Sequence, residues 1–423
     1  MRGPRRSLPL LVAAAVATAP GGPPLPSPAP ASAWSPASSV GCRTRSDLLS
    51  RPPVAHWHPA RGLEVTAWNG TDGRGDEVRL TVAQADTTRI RLAAAAVTEY
   101  GDAVATTTLT GGVRQAVVGI NGDYFAYDWS GAAVPQGPVV VDGRAYRLPS
   151  GARPVVGTDA SGRPTTARLR VDGEARVSAS PAGTPGPIRA LPIGSVNDDG
   201  DGADADGTDP VAAGRAVALV TPYLADARPW RAREVVVRRG VVVAAGHRLS
   251  FGTSGAFGSG RAGRDDVLLA ADGPAARTLQ GLRRGAAVRL RYAPVTTSGA
   301  RLDQAIGSGA LMLRDGRDVA PCTSSGARSR PRTLVAWNSR RTRLWLLALD
   351  GRGRDAPVPT YGGTYRQVAE LARALGATDA VMLDGGGSTT MALRGPDNAV
   401  HRIDAPDGAA QRPVPDGLVL VPR

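Results

Sequence analysis

Lysine is absent. All 51 basic side chains in the 423 residues are arginine, and with 37 acidic residues they leave a formal net charge of +14. The arginines are scattered through turns and alternate along strand-like faces, with no basic block, and aromatic residues are only 4% of the chain. A nucleic-acid surface gathers its cations on one face and interleaves aromatics to stack bases. No nucleic-acid partner is therefore expected; the charge reads as a solvated surface with a weak general pull on anions. Cysteine is almost absent, at Cys42 and Cys322, and the four histidines are spread along the chain. Two thiols and dispersed imidazoles do not make a zinc site, and His56 and His58 have no third ligand nearby. No metal centre is expected. After the N-terminus no apolar run is long enough to cross a bilayer, so no stable membrane insertion is expected. Neither Gly-x-Ser-x-Gly nor His-Glu-x-x-His occurs, which removes two common hydrolase designs.

The N-terminus has the order of a secretory signal: Arg2, Arg5 and Arg6, then the apolar Leu8–Ala19, then Ala31-Ser-Ala33 as a cleavage site. Residues 1–33 are read as a signal peptide and 34–61 as a linker or arm. Residues 62–423 are read as one large domain of a secreted, extracellular protein. Export permits a Cys42–Cys322 disulfide, which is preferred to two buried thiols.

Apolar alternation predicts strands at Leu63–Trp68, Arg79–Ala85, Arg89–Ala96 and Val113–Ile120, and more through Gln136–Val141 to Leu344–Leu349. Val267–Ala271 and Ala287–Tyr292 bracket a segment read as part of a β-rich fold. One helix stands out over 365–375. Thr364 and Gln367 have capping-box spacing, Val368, Leu371, Ala372 and Leu375 share a face, and Gly376 is placed to end it. The fold class is α+β: a mixed, twisted β-sheet with few helices. Asn197–Asp209 alternates Asp and Gly like a calcium loop, but no glutamate closes it. It is read as a solvated insertion, with calcium there the one cofactor left open.

The chain is organised around Ala380–Leu393, AVMLDGGGSTTMAL. A buried strand delivers Asp384 to its end. Gly385, Gly386 and Gly387 then let the backbone turn and a ligand approach, and their N–H groups can form an anion nest. Ser388, Thr389 and Thr390 add hydroxyls. A tight hairpin without a site explains the glycines equally well. A second strand runs into Asn121-Gly-Asp-Tyr-Phe125, placing Asn121 and Asp123 at its polar end; an Asn-Gly hairpin turn is the alternative. Gly307-Ser-Gly309 reads as a ligand-facing turn or a β-bulge.

Three ordered segments carry a resemblance: Leu383-Asp-Gly-Gly-Gly-Ser-Thr-Thr-Met391, Ile120-Asn-Gly-Asp-Tyr-Phe125 and Pro331-Arg332-Thr333. Together they resemble the phosphodiester glycosidase family, most strongly over 304–422. Asp123 stands where the commoner pattern has glycine. The resemblance implies hydrolysis of a glycosyl-1-phosphodiester, with a carbohydrate phosphodiester as substrate. It implies catalytic roles for Asp384, Asn121 and Arg332, and substrate binding by Gly385–Thr390; a catalytic role for Asp123 would be specific to a subgroup. Arg332 would supply a bidentate fork to phosphate, and Asp123 or Asp128 the second carboxylate that glycosidases use. A secreted glycan-binding module without catalysis is the alternative.

Overall fold

The computed structural model describes residues 47–72, 75–96, 115–127, 133–198, 210–221, 232–247, 249, 266–351, 360–404 and 412–423. They lie in one compact unit, Val40–Arg423. The signal segment, Cys42, Asp128 and most of the Asp-rich insertion lie outside the described residues. Cys322 is disulfide-bonded; Cys42 is the only other cysteine of the sequence. No described helix is long and apolar enough to cross a membrane.

Three sheets carry the fold. The first has eight strands, in the order Ala55–Ala60, Leu63–Thr71, Glu77–Asp86, Arg343–Asp350, Arg332–Trp337, Asp379–Met382, Leu311–Arg314 and Arg317–Asp318. The second has five, in the order Val400–Arg402, Met391–Arg394, Val118–Asn121, Asp416–Pro422 and Ile90–Ala96. The third has eleven and contains the longest strand, Pro164–Pro181. Pairing is antiparallel except between Ile188–Val196 and Val217–Val220, so the sheet is mixed by one pair.

Burial follows the period of two that strands impose. Leu63, Val65 and Ala67 point inward while Glu64 faces water. Arg332–Trp337 is buried at every position because both faces of its sheet are covered. Val335 and Trp337 pack with Ile120, Leu418 and Leu420 of the five-stranded sheet. Leu334 and Ala336 face the other way, against Val368, Ala369 and Ala372 of the helix Tyr365–Ala374. Thr364 caps that helix by accepting the N–H of Gln367 at 3.2 Å, as its spacing predicts.

Two readings are corrected. The arm does not stop at residue 61: Ala55–Ala60 is an edge strand paired with Leu63–Thr71, and Trp57 packs against the core. A second helix, Gly273–Gln280, interrupts the run read as β-rich, opened by Pro274 in its first turn and burying Ala275, Ala276 and Leu279.

Candidate active site

The site lies where the ends of the three sheets meet. Val118–Asn121 brings Asn121 from the five-stranded sheet, and Asp379–Met382 delivers Asp384 from the eight-stranded one. Leu302–Gly307, of the eleven-stranded sheet, ends beside Asp123. Ser308–Ala310 is the crossing to Leu311–Arg314 of the eight-stranded sheet. The Gly307-Ser-Gly309 turn thus does border the site.

Asn121 is fully buried and ties the parts together. Its amide donates to the Asp384 carbonyl at 2.7 Å. Its Oδ1 accepts from the Thr333 hydroxyl at 2.8 Å and from the Thr390 N–H at 3.1 Å. Every polar atom of a buried amide that finds a partner removes a desolvation cost. Asn121 is thus the fixed joint between two sheets and the glycine loop.

Asp384 is half-buried. Its Oδ1 accepts the N–H of Gly385 at 2.8 Å, and its carboxylate also bonds Ser388. Burial pushes its pKa up; the bonds from Ser388 and Gly385 and the charge of Arg412 pull the other way, and burial wins. Asp123 is 4% exposed. Burial drives its pKa up to about 7, helped by the charge of Asp384 and opposed by the N–H groups of Tyr124 and Gly137 and by Arg147. Its Oδ2 accepts from Gly137 N–H at 2.6 Å. A Cβ at Gly307 would lie 2.0 Å from that oxygen and one at Gly137 2.4 Å, so glycine is required at both. The charge of Asp384 acts on Asp123. Unlike environments of this kind are what make two carboxyls titrate apart.

The glycine loop is more committed than an open nest. Gly386–Ser388 form a 3₁₀ turn with Gly386 at φ +61°. Gly386 N–H goes to the Pro331 carbonyl at 3.0 Å, and Ser388 and Thr389 bond within the turn. Gly387, in the middle of the turn, is exposed. The Thr333 and Thr389 hydroxyl oxygens lie 3.3 Å apart. Thr390 Oγ1 is buried without a partner among the described residues.

Arg332 is drawn away from the phosphate role. Its Nε donates to the Gly363 carbonyl at 2.9 Å, and Nη2 to Ser325 at 3.0 Å and Arg328 at 2.8 Å. The guanidinium lies 4.5 Å from the Tyr365 ring centroid, on the helix side of its strand. Thr333, one residue on, points to the opposite face and into the site. Tyr365 in turn hydrogen-bonds Tyr124, whose hydroxyl burial holds above its ordinary range.

The cation at the site is Arg412, which the sequence reading passed over. It lies over the loop: its Cζ is 3.5 Å from where a Gly387 Cβ would be, and Nη1 is 3.5 Å from Ser388 Oγ. It also sits 6.0 Å from the Phe125 ring centroid, and Phe125 meets the exposed Tyr127 edge-on at 5.5 Å. Asp416 was missed as well: it is fully buried and accepts the Asp123 N–H at 2.8 Å. No local signal marks either residue; each precedes or opens the last strand. Of the Asp-rich insertion, Asp198 is described, and it pairs with buried Arg147 at 2.7 Å.

Residues 231–421 match the family model described as phosphodiester glycosidase. The match starts earlier than residue 304 and leaves Asn121 and Asp123 outside it. No curated protein sequence matches the chain. A hypothetical protein from Synechocystis has a similar structure, with TM-score 0.61 and 18% identity over 90% of this chain and 68% of that one. A Burkholderia pseudomallei protein described as exported gives 0.58 and 20%, over 82% and 74%. Both share the fold. The catalytic domain of zebrafish N-acetylglucosamine-1-phosphodiester alpha-N-acetylglucosaminidase aligns over 90% of this chain and 88% of that one, at TM-score 0.39 and 12% identity. That is too distant to carry an argument.

Proposed function

We propose, from the match of residues 231–421 to the phosphodiester glycosidase family model, that this chain is an exported hydrolase. Its reaction is the hydrolysis of a glycosyl-1-phosphodiester to free sugar and a phosphomonoester. The observation that carries the reading is the meeting of Asp384 and Asp123, two carboxyls with raised proton affinity, from different sheets in one site.

The chemistry needs little from an acid. The leaving phosphate carries away the bonding electron pair as a stable anion. A water must add to the anomeric carbon and lose one proton, and Asp384, the more exposed carboxyl, is placed to take it. Asp123, buried and near half-protonated at neutrality, is the acid side of the pair. Keeping its proton leaves one negative charge beside the substrate rather than two. Arg412 offers a planar fork to the phosphate oxygens over the Gly387 turn. Asn121 holds the backbone of Asp384 in place.

The test is sugar release from a glycosyl-1-phosphodiester. Turnover by the wild-type protein, lost in Asp384→Asn, supports the reading. Binding of the diester without any turnover would replace it with the glycan-binding alternative.

A further inference from the structure

Asp416 has no place in the reaction above, yet it is buried completely and built into the site. It opens the strand Asp416–Pro422, whose Gly417 pairs with Asn121. It holds two successive amides of the neighbouring corner. Its backbone carbonyl accepts Gly122 N–H at 3.0 Å, and its side-chain Oδ1 accepts Asp123 N–H at 2.8 Å. Gly122 is pressed against it: a Cβ there would lie 2.4 Å from Oδ1. Its Oδ2 is buried with no partner among the described residues.

We propose that Asp416 is a positioning residue for Asp123, fixing that carboxyl in the site through the Asp123 N–H. The inference rests on the reading of Asp123 as the acid side of the pair.

The charges around it decide the form in which it works. The groups acting on Asp416 are Asp123 and Asp384, both acids; Arg147 acts on Asp123 and Arg412 on Asp384 instead. Burial and these two neighbours hold its pKa well above the usual carboxylate range. A carboxylate with no cation facing it in a dry interior takes up a proton rather than stay charged. Asp416 is therefore held toward its protonated, neutral form. A neutral carboxyl still accepts a hydrogen bond through its carbonyl oxygen. The fixed corner leaves Asp123 Oδ2 on Gly137 N–H, with the Gly137 and Gly307 backbones closed around it. Released from Asp416, the corner could turn the carboxyl toward water, and its proton affinity would fall.

The experiment compares four proteins: wild type, Asp416→Asn, Asp416→Ala and Gly122→Ala. Asparagine keeps the accepting oxygen and is neutral. Alanine removes it, and a methyl at position 122 displaces it from the other side. Two measurements are made: kcat and KM on a glycosyl-1-phosphodiester, and the infrared titration of the Asp123 carboxyl, identified by its loss in Asp123→Asn. Asp416→Asn is expected to keep the wild-type kcat and an Asp123 midpoint near pH 7. Asp416→Ala and Gly122→Ala are expected to lose about tenfold in kcat with little change in KM, and to titrate Asp123 lower, since an oriented acid is what they disturb. Should Asp416→Ala prove too unstable to purify, Gly122→Ala carries the comparison. An unmoved Asp123 midpoint in the folded alanine variants would overturn the proposal. So would a loss in Asp416→Asn equal to that in Asp416→Ala. The titration needs no substrate: if wild type releases no sugar, the catalytic reading fails while the infrared result still decides whether Asp416 positions Asp123.

Discussion

The side-chain amide of Asn121 donates to the backbone carbonyl of Asp384 at 2.7 Å, across 263 positions of the chain. One end belongs to the five-stranded sheet and the other to the eight-stranded sheet. The bond holds the backbone of the acidic residue and leaves its carboxylate to Gly385 and Ser388. Asn121 is thus the anchor of the site, and Asp384 the group we propose to react.

Asp384→Asn is expected to fold as wild type, because the amide is nearly isosteric and half-buried. It removes the proton acceptor, at a cost of about 10²-fold or more in kcat. Asp123→Asn is expected to lose less, since a phosphate leaving group needs little protonation. Initial rates on a glycosyl-1-phosphodiester measure both. Equal activity in Asp384→Asn and wild type would remove Asp384 from the chemistry.

Asn121→Ala should act on stability as much as on rate. It leaves the Thr333 hydroxyl, the Thr390 N–H and the Asp384 carbonyl without their partner. Stranding buried polar groups costs about 1–3 kcal/mol each before relaxation, so a loss of about 3 kcal/mol in denaturant unfolding is expected. An unfolding midpoint unchanged from wild type would mean that the joint is not structural.

The two arginines should separate by assay. Arg332→Lys loses a fork that serves three backbone carbonyls and packs on Tyr365, so stability falls first. Arg412→Ala leaves the core untouched and is expected to raise KM about tenfold, the loss of one charge-assisted contact of about 1.5 kcal/mol. A raised KM in Arg332→Lys with wild-type stability, and none in Arg412→Ala, would restore the phosphate role to Arg332.

Stability should fall as pH rises from about 4 to about 7. Asp123, with a folded pKa of about 7 against 3.8, binds more protons folded than unfolded in that window, so the slope of stability with pH is negative. Asp384 and Asp416 are raised too and act in the same direction. Asp47, Asp86 and Asp159 are lowered, so their contribution is lost only at more acid pH. Melting temperatures across this window, compared with Asp123→Asn, should show a shallower decline in the variant. A wild-type melting temperature that rises through the window would contradict the burial of these acids.

Gly386→Val and Gly307→Ala should fail for different reasons. A Cβ at Gly386 meets nothing within 4 Å, but φ of +61° is strained for valine. The nest is therefore not blocked by the side chain; the turn itself is disturbed, with loss of activity and a modest loss of stability. At Gly307 the methyl would collide with the Asp123 carboxylate. Gly307→Ala is expected to abolish the Asp123 titration near pH 7, and infrared titration at an unchanged midpoint would refute that.

Local signals settled much of this protein in advance. The period of two placed most strands, the Thr364–Gln367 spacing placed the helix cap, and the run Leu383–Met391 marked Asp384 and its glycines. Those features depend on residues a few positions apart, so the sequence determines them by itself. The partners of each group were decided elsewhere. Arg332 and Thr333 are adjacent, and strand alternation says only that they face opposite ways. Which face meets the site depends on where the helix and the five-stranded sheet pack, and that packing sends Arg332 to Tyr365 and Thr333 to Asn121. Arg412 and Asp416 look ordinary in sequence and become site residues because the last strand, Asp416–Pro422, pairs beside Val118–Asn121. The proton affinity of Asp123 is likewise a property of the fold: the Ile120–Phe125 run marks its position but not its burial, which comes from Gly137, Gly307 and Asp416, brought around it only by the meeting of three sheets.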